Sequence, residues 1–206
     1  NDARRQRQMC IRDSVDIENL KQNNAARSGD TLFLTKPLGV GIISTAIKRG
    51  TAQASDVELA SQSMRSLNGI GPSLARVKGV NALTDVTGFG LLGHLTEIMT
   101  ASALDAEIFW SQIPKLPNLE RYVDEDCVPG GTGRNYASIA QHLPTLSETQ
   151  RAILCDPQTS GGLLVTVEPE AVDEVAAILE GAGLPFNQIG RLSQQLNEKA
   201  TLKLSD

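Results

Sequence analysis

Residues 81–95 read NALTDVTGFGLLGHL, and the reading of this stretch decides how the rest of the chain is taken. Ala82, Leu83 and Thr84 make a short apolar strand, and Asp85 stands where it ends. Glycines at 88 and 90 break the chain, and Leu91, Leu92 and Leu95 then open the apolar face of a helix. An acid at the carboxyl end of a strand, just ahead of a turn and a helix start, is a common place to hold a cation and phosphate oxygens. Asp85 offers a hard oxygen ligand, and Gly88 and Gly90 let backbone approach a ligand closely. The same spacing fits Asp85 as a plain cap for the helix that follows.

Three other stretches carry similar punctuation. GDTLFLTKPLGVGI at 29–42 contains the buried strand TLFLT, stopped by Pro37, and a helix opened by Gly39-Val40-Gly41 with Ile42, Ile43, Ala46 and Ile47 on one side. A Gly-x-Gly with Lys36 just ahead fits a phosphate cradle, and fits tight strand-to-helix packing equally well. VPGGTGRNYAS at 128–138 reads as a flexible turn into a helix, where Arg134 meets a phosphate or carboxylate, or makes a surface salt bridge. CDPQTSGGLL at 155–164 is a polar, glycine-ended loop running into the strand LLVTV at 163–167. Such a loop can turn backbone N–H groups toward an anion, or be a satisfied turn in which Asp156 bonds the amides after it. Cys155, after an apolar run, reads as a buried thiol.

The remaining elements follow from periodicity and capping. Ser55 or Asp56 is expected to cap a helix running to about Asn68, with Leu59, Met64 and Leu67 as its apolar points, and a second helix runs from about Pro72 to Val77. The helix after Asp85 spans about 90–101, with Leu91, Leu92, Leu95, Ile98 and Met99 inward and His94 as a hydrogen-bonded packing residue. DAEIFW at 105–110 is a strand, followed by a loop punctuated by Pro114 and Pro117. The acidic run Asp124, Glu125, Asp126 beside Cys127 fits a metal site, but such a run is usually a solvated face. SETQRAIL at 147–154 begins with a capping box, and a helix at about 169–182 sets Val172, Val175, Ala176 and Leu179 inward. Strands at 187–192 and 201–204 close the chain. About six strands alternate irregularly with about six helices, which indicates an α/β (α+β) domain with a mixed sheet flanked by helices.

At 206 residues and a net charge of −5, the composition is that of an ordinary globular chain with one substantial core. No basic face for nucleic acid is evident, and no apolar run approaches the ~18–20 residues of a membrane span. The three cysteines (Cys10, Cys127, Cys155) match neither a zinc pattern nor a disulfide framework, which makes a reducing, cytoplasmic location the expectation. Aromatics are only 3% of residues, so the core must be aliphatic. Residues 1–14 are expected to be a non-native or disordered leader: ATG-TGT-ATA-AGA-GAC-AGN, a string resembling a transposase adapter from sequencing libraries, encodes MCIRDS at 9–14 or its arginine-ending twin, and the flanking residues show no apolar period. Cys10 then carries no chemistry. Residues 15–30 read as a linker, and 31–206 as the domain.

Together, the stretches at 29–42, 84–95, 128–138 and 155–164 resemble, in order, the C-terminal part of the selenophosphate synthetase (selenide, water dikinase) family. That resemblance implies the C-terminal domain fold of the aminoimidazole ribonucleotide synthetase superfamily, packed behind an ATP-binding N-terminal domain. It implies phosphate transfer from ATP to selenide with magnesium, giving selenophosphate, AMP and orthophosphate, in a homodimer. The family's reactive cysteine or selenocysteine, its lysine and most magnesium-binding aspartates lie in the N-terminal domain. No catalytic residue is therefore expected here, Asp85 is the one metal ligand carried over, and the chain alone is expected to be inactive. Alternatives are another ATP-using synthetase of the superfamily, or a non-catalytic binding or assembly module.

Overall fold

The strand Leu163–Val167 is buried along its whole length, and the sheet is built around it. In the computed structural model, which describes residues 17–206, the chain runs through β1 (Thr31–Leu34), α1 (Val40–Arg49), α2 (Ala54–Arg65), α3 (Gly71–Arg76), β2 (Val80–Asp85), α4 (Gly90–Ser102), β3 (Leu104–Phe109), α5 (Leu119–Asp124), α6 (Gly130–Ile139), α7 (Glu148–Leu154), β4 (Leu163–Val167), α8 (Val172–Gly181), β5 (Gln188–Gln194) and β6 (Leu202–Ser205). The expected leader at 1–14, with Cys10, lies outside the described residues. The six strands form one sheet in the order β2-β4-β1-β5-β3-β6. Every neighbouring pair is antiparallel except β3 with β6, so the sheet is mixed, as the irregular alternation of elements required. β4 and β5 run the same way with β1 lying between them, so the unit β4-α8-β5 is a split βαβ.

Strand alternation sorts the core into two layers. Leu32 and Leu34 of β1 and Leu164 of β4 face the layer filled by α1 and α4, with Ile42, Ile43, Leu91, Leu92, Leu95 and Ile98 among its members. Phe33, Leu163, Val165 and Val167 face the other side, against Leu74 of α3 and Val175 and Leu179 of α8. Covering on both faces is why β4 reads as an apolar run broken only by Thr166. At the start of β2 a bulge is held by the Thr166 hydroxyl, which accepts the Ala82 amide at 2.9 Å.

Three features differ from expectation. α2 has no side-chain cap; Asp56 is buried, and its carboxylate accepts the Tyr122 hydroxyl at 2.7 Å and the Asn118 amide at 3.0 Å. The inward stripe of α2 is Asp56, Ala60 and Met64, four residues apart, so Leu59 (41% exposed) and Leu67 (87% exposed) fall outside it, as Ile47 (45% exposed) does on α1. The loop after β3 contains a helix, α5, whose single buried face (Leu119, Tyr122, Val123) is too short to show a period. The capping box of α7 is present as expected, with Ser147 and Gln150 bonding each other's backbone. Among the described residues, no helix is long and apolar enough to cross a membrane.

Candidate functional site

The four punctuated stretches, far apart in the chain, meet at one end of the sheet around residues 156–162. Directly after Asp85, the Val86 amide bonds the Gly162 carbonyl at 2.8 Å, and the Thr87 carbonyl accepts the Gln158 amide at 3.0 Å. Gly161 lies against the Val86 carbonyl with no room for a side chain. From the third stretch, buried Asn135 donates to the Gly88 carbonyl at 2.8 Å and to the Cys155 carbonyl at 3.0 Å, tying the two loops together. From the first stretch, the Thr35 hydroxyl accepts the Leu163 amide at 2.8 Å, and the Gly41 amide donates to Asp156 Oδ2 at 2.9 Å. Gly90, at φ +71°, packs so close that a Cβ would stand 2.7 Å from the Cys155 carbonyl carbon.

Within this assembly Asp85 is exposed, and its carboxylate makes no hydrogen bond or ion pair among the described residues. α4 is preceded by Phe89 and has no side-chain cap, so the capping reading of Asp85 is set aside. The amides of Gly88, Phe89, Thr159 and Ser160 have no acceptor among the described residues, and the space over Gly88 is open. His94 is buried below the loop: its Nε2 accepts the Thr87 amide at 3.1 Å, and its Nδ1 lies 3.9 Å from Glu97. Burial lowers its pKa, against the pull of Asp85 and Glu97, so it serves as a neutral packing residue.

Two other residues take structural roles that their neighbours in sequence do not disclose. The Lys36 ammonium turns away from α1 and donates to the carbonyls of Ser66 (2.6 Å), Ser160 (2.9 Å) and Ser63 (3.3 Å). It joins the end of α2 to the 156–162 loop, a use of its three donors that opposes the phosphate-cradle reading. Asp156 is fully buried and accepts a backbone amide 115 residues away, together with the side-chain amide of Gln158, rather than the backbone amides after it. Burial pushes its pKa up to about 7, against the opposing pull of Gln158 and of the Gly41 and Ile42 amides. Cys155 is buried, its thiol pushed up to about 12, and is inert rather than nucleophilic. Arg134 is exposed and makes no ion pair among the described residues, so the salt-bridge reading of it finds no partner there.

Magnesium prefers hard oxygen ligands, usually one or two carboxylates with phosphate oxygens and water. Asp85, exposed and otherwise unbonded, fits one such position; among the described residues no group of three His, Cys, Asp or Glu side chains converges on a metal. A cavity of about 360 Å³ beside Lys115, Asn118 and Arg121 is lined by no residue of the loops that meet at Asp85.

Residues 27–203 match the family described as AIR synthase related protein, C-terminal domain. The chain belongs to this family. The AIR synthase-related domain is 46% identical over 198 residues to a selenide, water dikinase of Photorhabdus laumondii, covering 96% of this chain and 57% of that protein. It thus spans about half the length of the curated relatives it matches. Among solved structures, the domain superposes on thiamine-monophosphate kinase from Stenotrophomonas maltophilia with a TM-score of 0.62 at 17% identity, covering 89% of this chain and 52% of that one. The hydrogenase maturation protein HypE gives 0.59 at 19% identity, over 84% and 47% respectively. At such identities the likeness is one of fold, and it bears out the mixed sheet with flanking helices.

Proposed function

We propose that this AIR synthase-related domain is the C-terminal part of an ATP-dependent selenophosphate synthetase, which turns ATP, selenide and water into selenophosphate, AMP and phosphate. The observation that carries the reading is Asp85: an exposed carboxylate without a partner among the described residues, at the point where all four matching stretches are knotted together. The 46% identity to a selenide, water dikinase favours that activity over the thiamine-phosphate or hydrogenase-maturation branches, whose solved structures are 13–21% identical.

In this reading Asp85 supplies one ligand to a magnesium ion whose other protein ligands belong to an upstream half. Asp85 would hold such an ion, and the chemistry the ion would supply is charge neutralisation on a transferring phosphoryl group. The chain's own contribution is to hold the Asp85 carboxylate still and open. Val86 and Thr87 are pinned by the 156–162 loop, His94 anchors the Thr87 amide from beneath, and Asn135 fixes the Gly88 carbonyl. One carboxylate binds magnesium weakly, so in this reading the chain alone is inactive. The assembled enzyme is proposed to be a cytoplasmic homodimer.

The test is Asp85→Asn in the intact protein, with its upstream sequence restored. Turnover, followed as AMP release with selenide present, falls at least about a hundredfold, the loss of a ligand contribution of some 3 kcal/mol, while the melting temperature stays put. Near-normal AMP release removes Asp85 from the metal site. AMP production by the 206-residue chain alone refutes its inactivity. An intact protein that binds magnesium–nucleotide but never turns over is instead a binding module.

A further inference from the structure

α1 begins without a cap of its own. Gly39, at φ 118°, has no side chain to offer, and neither Val40 nor Gly41 carries a capping oxygen. The missing acceptors come from the far end of the chain: Asp156 Oδ2 takes the Gly41 amide at 2.9 Å, and Gln158 Oε1 takes the Val40 amide at 3.3 Å. The two side chains are locked together, since Gln158 Nε2 donates to Asp156 Oδ2 at 2.8 Å and to the Asp156 carbonyl at 2.9 Å. Gly41 is the only residue type that fits, because a Cβ there would lie 2.5 Å from Asp156 Oδ1.

The consequence reaches Asp85 through the backbone. Gln158, fixed by its side chain at α1, donates its own amide to the Thr87 carbonyl. Four residues later Gly162 accepts the Val86 amide, and between them Gly161 presses on the Val86 carbonyl. Asn68 and Lys36 hold the Gly161 and Ser160 carbonyls from the other side. The two residues that follow Asp85 are thus bonded to a loop whose own placement is set at the start of a different helix.

We propose that Asp156 and Gln158 are positioning residues that fix the loop carrying Asp85 by anchoring residues 158–162 to the start of α1. A side-chain oxygen is suited to this, because the first amides of a helix have no acceptor within the helix and Asp156 Oδ2 accepts one of them. Its link to catalysis rests on the reading of Asp85 given above; its link to loop position does not.

Hydrogen exchange of the chain separates a positioning role from general stabilisation. Gln158→Ala and Asp156→Ala should each speed exchange of the Val86 and Thr87 amides about tenfold. The Leu192 amide, bonded to the Asp30 carbonyl elsewhere in the sheet, should keep its protection. Asp156→Asn, which still offers an oxygen to Gly41, restores most of the protection. Gly190→Ala, whose added methyl strikes the Glu107 backbone in a distant pair of strands, is the control that weakens the sheet without touching this loop. Unchanged Val86 exchange in both alanine variants, or an equal rise at Val86 and Leu192, overturns the inference. In the intact enzyme the half-saturating magnesium concentration should rise about fivefold in Gln158→Ala with little change in kcat, the fold-change of a ligand misplaced by a fraction of an ångström. Selective loss of protection without any shift in magnesium dependence leaves the loop anchor standing and refutes Asp85 as the ligand.

Discussion

Replacing Asn135 by alanine removes one side-chain amide that serves two carbonyls in different surroundings. The Cys155 carbonyl belongs to a fully buried residue, so without its donor it stays desolvated, at a cost of about 1–3 kcal/mol. The Gly88 carbonyl belongs to an exposed residue and regains water, so only the net worth of a hydrogen bond is lost there, about 0.5–1.5 kcal/mol. Alanine is the better helix former at this position of α6 by about 0.6 kcal/mol. The balance is a destabilisation of about 1–4 kcal/mol. Urea unfolding followed by the fluorescence of the single tryptophan, Trp110, measures it. With a slope of about 2 kcal/mol/M, the midpoint moves down by about 0.5–2 M. Asn135→Asp sharpens the test, since it keeps the shape but sets a carboxylate against two carbonyl oxygens. At pH 7.5 it should be about 1–2 kcal/mol less stable than the alanine variant, and the gap should close as the pH falls toward about 4 and the acid gains a proton to donate. If Asn135→Asp matches or exceeds the alanine variant at pH 7.5, the amide is not the donor that joins the two loops.

Further tests address the other buried polar groups. Lys36→Met keeps the aliphatic stem but frees three carbonyls, of which those at Ser66 and Ser160 belong to exposed residues and regain water; a loss of about 2–3 kcal/mol in urea unfolding is expected, and a change under ~0.5 kcal/mol removes the clamp. Asp156 has its pKa raised from 3.8 to about 7, so the folded state holds its proton more tightly than the unfolded one. Its contribution therefore favours folding most at low pH and declines as pH rises between about 4 and 7, by up to roughly 4 kcal/mol. The stability difference between Asp156→Asn and the parent chain should shift in the variant's favour across that window, and a flat difference refutes the burial argument.

The local grammar of the sequence was legible wherever a signal was complete within a few residues. The capping box at Ser147 and Gln150, the doubly buried strand 163–167 and the inward stripe of α4 needed only neighbours to be read. What escaped depended on partners distant in the chain. Asp56 has the look of an N-cap, yet its donors sit at Asn118 and Tyr122. Asp156 has the look of a turn residue, yet it caps α1. Lys36 stands before a Gly-x-Gly, yet its ammonium is taken up by carbonyls of α2 and the 156–162 loop. α5 hid between prolines because six residues show less than two helical turns. At the site, the exposed acid could be named from its place after a strand; that it is not a cap required seeing Phe89 at the helix start.

The place of β4 has a consequence for how the chain is made. Among the described residues β2 has β4 as its only sheet partner, and β1 lies between β4 and β5, so neither early strand meets a described partner until synthesis passes residue 163. Between the synthesis of residues 31–34 and that of residue 163, the apolar run of β1 has neither of its two sheet neighbours to pair with. Slow, non-local closure of this kind leaves nascent chains open to aggregation, and β4 acts as the keystone without which the earlier strands remain loose.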